Sequence, residues 1–195
     1  MSHWFSLPLL LTTLIALPAH STPSQQAESS PLTLRPSSNN DELQADAAHL
    51  RRRGMQVLGG WALTNIAVGG VGLATASSPQ WRGFHEGNLS WNVINLGLAG
   101  VALLTQASPS SDPLTQLNEG SHLRRILSFN AGLDVAYVVA GAWLWDQGQR
   151  LGDGRQRGWG QALVVQGLFL LAFDLSLSWL QGRHDQRLVR VLSGG

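Results

Sequence analysis

Four long apolar runs organise the chain: MQVLGGWALTNIAVGGVGLA at 55–74, NLSWNVINLGLAGVALLT at 88–105, ILSFNAGLDVAYVVAGAWLW at 126–145 and GQALVVQGLFLLAFDLSLSWLQ at 160–181. The first two contain no Asp, Glu, Lys or Arg; the third holds only Asp134 and the fourth only Asp174. Each is 18 to 22 residues long, close to the ~20 that a helix rising ~1.5 Å per residue needs to cross a ~30 Å hydrocarbon layer. One such run reads equally as a buried helix of a water-soluble core, but four in succession are hard to place around one core of this size. Trp81, Trp91, Trp143, Trp145, Trp159 and Trp179 lie near the run ends, where the indole ring meets the membrane–water interface. The connections at 75–87, 106–125 and 146–159 are short, which favours antiparallel neighbours. The expected fold is all-α, an up-down-up-down bundle of four transmembrane helices spanning 55–182.

The ends of the chain follow other patterns. The apolar run from Trp4 to Leu17 is too short for a comfortable span, contains Pro8, and leads through Pro18 to Ala19-His20-Ser21. Residues 1–21 therefore read as a cleaved signal peptide, with an uncleaved anchor as the alternative. Residues 22–40 have no apolar period and read as a disordered linker. At 41–54, Leu43, Ala47 and Leu50 share one face of an amphipathic helix, which either lies on the membrane surface or runs straight into the first span. Residues 183–195 form a basic amphipathic tail carrying Arg183, Arg187 and Arg190.

Composition changes this picture little. A mean hydropathy of +0.01 and a net charge of +1 average over strongly segregated halves and give no reason to expect a nucleic-acid partner. All 13 basic residues are Arg. With no Cys, disulfides and thiolate metal sites are excluded. No histidine pair sits at cofactor-ligand positions within the spans and no nucleophile–base pair is evident, so no metal and no cofactor are expected and an enzymatic role is the weakest reading. The expected partners are the lipid bilayer and a second copy or another membrane protein. The expected location is a bacterial inner (plasma) membrane, multi-pass. Orientation is contested. A signal peptide puts the N-terminal linker in the periplasm, whereas the side bearing both ends and the middle loop has eight Arg against four on the other, which by positive-inside counting is cytoplasmic. The targeting signal, acting first on the emerging chain, is given precedence.

Candidate chemistry lies in polar residues at helical spacing inside the runs. His85, Asn88, Asn92 and Asn95 form one seam of the second run, continued by Ala99 and Ala102; Asn130, Asp134 and Tyr137 form one in the third. Gln166 and Asp174 share a face of the fourth, and Asn65 sits near the middle of the first. All are expected to turn inward. Between membrane helices, amides commonly act as hydrogen-bond glue worth about 0.6–2 kcal/mol each. The two acids differ, because an ionised Asp at mid-membrane costs at least ~2.5–3.5 kcal/mol and no Arg or Lys lies in any span to offset it. Asp134 and Asp174 must hold a proton, be bonded by amides, or meet water or a cation. The glycines of the first two runs, Gly59, Gly60, Gly69, Gly70, Gly72, Gly97 and Gly100, are expected to let backbones approach closely.

Over residues 54–181 the layout resembles a bacterial family of uncharacterised four-span membrane proteins. The resemblance is carried by GMQVLGGWALTNIAVGG, FHEGNLSWNVINLGLAG, NAGLDVAYVVAG and QGLFLLAFD. It implies the topology and supplies no activity. Three roles compete: a structural or interaction component whose polar core fixes helix register, a small-solute, proton or ion-handling protein using Asp134 and the Asn stripe, and, weakest, a membrane enzyme or redox-cofactor carrier. The first is preferred.

Overall fold

The computed structural model describes residues 38–106 and 108–193, with side chains from Asp41 onward. The signal-peptide reading at 1–21, and the linker reading up to residue 37, lie outside the described residues. The rest is four helices with no strand among the described residues: α1 (Ser38–Thr75), α2 (Pro79–Leu104), α3 (Pro113–Leu151) and α4 (Gly154–Leu192). All four are long and apolar enough to cross a membrane.

The helices overrun their apolar stretches, so the links shrink to 76–78, 105–112 and 152–153 from the broader connections expected. Capping explains the difference. The Ser78, Asp112 and Asp153 side chains accept from the backbone N–H of Trp81, Thr115 and Gln156, satisfying donors that a helix start leaves free. Pro79 and Pro113 follow at the first helical position, where a missing N–H costs nothing. α3 stops at Gly152, whose φ of 69° is left-handed, a conformation open to a residue without Cβ. Hydropathy thus marks the apolar part of each helix and misses its polar ends. α1 takes in residues 38–40 and runs unbroken through 41–54 into the first apolar run; α4 likewise continues through 183–192. At 39 residues, α3 and α4 are about 58 Å long against a ~30 Å hydrocarbon layer.

Chain direction alternates as expected, and the pairs α1–α2 and α3–α4 follow chain order, but the pairing of α2 with α4 in place of α3 does not. α2 packs on α1 and on α4, to which it runs parallel, while α3 packs chiefly on α4. Backbone proximity is the physical reason. A Cβ on Gly83 of α2 would strike the Arg155 carbonyl of α4, and one on Gly158 of α4 would strike the Gln80 carbonyl of α2. Between α3 and α4, a Cβ on Gly141 would stand 2.8 Å from the Val164 nitrogen. The expectation for the first two runs holds for Gly59, Gly69 and Gly72, which face Ala99, Leu89 and His85 of α2. It fails for Gly60, Gly70, Gly97 and Gly100, which face open space.

Burial is divided unusually for a water-soluble protein. Ala62, Ala99, Ala131, Ala162 and several leucines fill the interior together with Asn88, Asn92, Asn95, Gln166 and both span acids, while Val57, Leu63, Val71, Val101, Val139 and Leu168 stand exposed. That apolar exterior suits acyl chains.

Candidate functional site

Four hydrogen bonds close a circuit through three helices. Trp61 Nε1 donates to Gln166 Oε1 at 3.1 Å, and Gln166 Nε2 donates to Asn88 Oδ1. Asn88 Nδ2 donates to Asn65 Oδ1 at 2.8 Å, and Asn65 Nδ2 returns to the Trp61 carbonyl at 2.9 Å. Every link runs in the same sense, so each amide both donates and accepts. α1, α2 and α4 are tied at one level. Asn92 Nδ2 adds a bond to the Asn88 carbonyl at 2.7 Å. The Trp61 indole also stacks on Phe169, ring centroids 3.9 Å apart.

The acids form a second group. Asp134 of α3 and Asp174 of α4, 3% and 6% exposed, lie near enough for each carboxyl to act on the other. Carboxylates offer only acceptors, so a hydrogen bond between the two would need a proton on one of them. Neither takes part in the ion pairs of the described residues. Trp91 of α2 and Tyr137 of α3 touch edge to face with centroids 4.9 Å apart. One turn from that contact, on the same side because the helices run in opposite directions, lie Asn95 and Asp134. Asn95 Nδ2, Asp134 Oδ2 and Asn92 Oδ1 are all buried and have no hydrogen-bond partner among the described residues.

The remaining expected site residues sit apart. The His85 ring occupies the space a Cβ on Gly72 would need, edge-on to Phe84 at 5.4 Å, and its Nδ1 is buried without a partner. Tyr137 packs on Trp91. Asn130 is half-buried on α3, one turn before Asp134, and among the described residues no hydrogen bond joins its side chain to either group.

Sequence reasoning missed several residues. Trp61 closes the circuit, and its signal in the sequence is an indole N–H in the middle of an apolar run, one turn before Asn65, which needs an acceptor. At the end where α1, α3 and α4 meet, His184 Nε2 lies 2.9 Å from the Leu43 carbonyl. Gln181 Nε2 donates to Asp185 Oδ1 at 2.8 Å, and Arg51 pairs with Glu119 at 3.0 Å. At the opposite end Glu86 accepts from Arg155 Nε at 2.7 Å and from Trp159 Nε1 at 3.3 Å. These lie outside or at the edges of the apolar runs, where polar residues read as solvated. The spacing of Gln181, Asp185 and Leu188 along one helical face was the available signal. Among the described residues no group of three His, Cys, Asp or Glu is placed to hold a metal ion.

An all-helical protein of four span-length helices with a polar interior is the class these features define. Residues 57–175 match a family of unknown function, DUF6992, and the chain belongs to that family. The matched stretch contains the whole amide circuit and both span acids. No curated protein and no solved structure matches the chain.

Proposed function

We propose that the chain is an integral, multi-pass membrane protein of structural or interaction role, seated in a bacterial inner membrane, whose polar core locks helix register. The observation that carries this reading is the closed circuit from Trp61 through Gln166, Asn88 and Asn65. A circuit in which every amide both donates and accepts holds three helices in one relative rotation. The open faces at Gly60 and Gly70 of α1 and Gly97 and Gly100 of α2 are where another membrane helix would come close to the backbone. Asn88 is the hub, so Asn88→Leu leaves Gln166 Nε2 without its acceptor and Asn65 Oδ1 without its donor. The expected loss is about 1–3 kcal/mol, read as a lower midpoint of thermal unfolding in detergent. An unchanged midpoint would remove the circuit from the account of stability.

The unpartnered atoms of Asn92, Asn95 and Asp134 favour a second reading, in which the Asp134–Asp174 level takes up a proton or a small polar solute. Here Asp134→Asn is decisive, because the new amide donates to Asp174 without a titrating proton. Under this reading the infrared carboxyl band of the wild type shifts with pH and with added solute, and Asp134→Asn abolishes the response while preserving the fold. A wild-type band indifferent to both leaves the structural role alone.

A further inference from the structure

Where α3 and α4 leave their apolar runs, a pocket of about 330 Å³ opens on the outside of the bundle. Arg124 and Arg183 form its polar end, Ser178 and Gln186 flank it, and Trp179 and Leu175 form its apolar wall. Arg124 stands two residues before the run that begins at Ile126, and Arg183 two after the run that ends at Gln181. Leu175 lies eight residues back along α4, about 12 Å deeper at ~1.5 Å per residue.

The two guanidinium groups are held rather than free. Arg183 rests over the Trp179 ring, 4.9 Å from its centroid, which fixes its plane while leaving the N–H edge open. Arg124 lies across Gly182, where a Cβ would stand 3.5 Å from its Cζ and Nε; the missing side chain lets the guanidinium settle against α4. Among the described residues the acid paired with these arginines is Asp185, 3.8 Å from Arg124 Nη1 and already accepting from Gln181. The local balance stays positive.

From this juxtaposition we propose that the pocket seats the phosphate of an anionic phospholipid, with Arg124 and Arg183 on its oxygens and an acyl chain along Trp179 and Leu175. Paired guanidinium forks match phosphate oxygens. Basic pockets between spans at the headgroup level recognise such lipids. The apolar wall below the arginines distinguishes a lipid from free phosphate. The proposal rests on the membrane reading and goes beyond the role of the polar core.

The test uses the full chain purified in neutral detergent. Added phosphatidylglycerol should raise the unfolding midpoint and remain bound in native mass spectrometry, whereas phosphatidylcholine and inorganic phosphate should do neither. The Arg124→Gln/Arg183→Gln double variant should bind phosphatidylglycerol roughly tenfold or more weakly, the worth of a charge-assisted hydrogen bond. Arg187→Gln, which does not line the pocket, should bind as the wild type does. Gly182→Leu fills the pocket without changing charge and should weaken binding too. Should the arginine variants fail to fold, brominated phosphatidylglycerol on wild type and Trp179→Phe still reports: Trp179 emission should be quenched more by it than by brominated phosphatidylcholine. Equal response to both lipids, an equal shift with inorganic phosphate, or full binding by the double variant or by Gly182→Leu overturns the proposal. Failure of the membrane reading is distinguishable, because the chain would then be released from membranes by an alkaline wash before any lipid is compared.

Discussion

Asn88 and Asp112 show how differently single polar residues act in one chain. Asn88 accepts from Gln166 and donates to Asn65 through its side chain, so losing that side chain strands two partners, while the backbone carbonyl that takes the Asn92 amide stays. Asp112 sits fully exposed at the start of α3, where the Thr115 hydroxyl and then the Thr115 backbone N–H bind its carboxylate and lower its pKa from the usual 3.8. A carboxyl lowered on folding stabilises above its unfolded pKa and loses that contribution as pH falls through the folded value. Acidification below about pH 4 should therefore loosen the α3 start, read as faster hydrogen exchange at the Thr115 amide. Asp112→Asn, which caps without titrating, should show no such acid step; an identical step in that variant would assign it elsewhere.

At the level of elements, glycines divide into those that set helix pairing and those that do not. Gly158 brings α4 against the Gln80 carbonyl of α2, and no side chain fits there. Gly158→Val should push the two helices apart and cost about 1–3 kcal/mol or more, as overpacking does. Gly97 meets nothing within 4 Å, so Gly97→Ala should leave the unfolding midpoint of the isolated chain unchanged or raised, within about 1 kcal/mol. Unfolding in detergent checks both. If Gly97→Ala lowers stability as Gly158→Val does, the open face is wrongly placed. The contrast explains why α2 chooses the parallel α4 over its chain neighbour α3. Adjacency follows backbone approach, and the eight-residue link at 105–112 leaves α3 free to take the far side of α4.

For the molecule as a whole, polar groups inside and aliphatic groups outside suit an apolar solvent. The starts of α1 and α3 and the end of α4 gather on one side, as the His184–Leu43 and Arg51–Glu119 contacts show. The polar helix ends there bond to one another. With the targeting signal given precedence over the arginine count, a reporter fused after Gly195 should read out as non-cytoplasmic. Activity of a reporter that works only in the cytoplasm would reverse the orientation.

Helix number, span length and the inward seams of Asn88, Asn92 and Asn95 were legible in the residues alone, because hydropathy and the 3.6-residue period are local properties. So was the anomaly of Asp134 and Asp174, two acids in apolar runs without a basic neighbour in sequence. Which amide meets which, that Trp61 closes the circuit, that the two acids face one another, and that α2 lies beside α4 are relations between residues up to 105 positions apart. Periodicity along one helix says which side a residue faces and nothing about what stands opposite. That is settled by how closely four backbones can pack, and the contacts of Gly83, Gly141 and Gly158 set the distance.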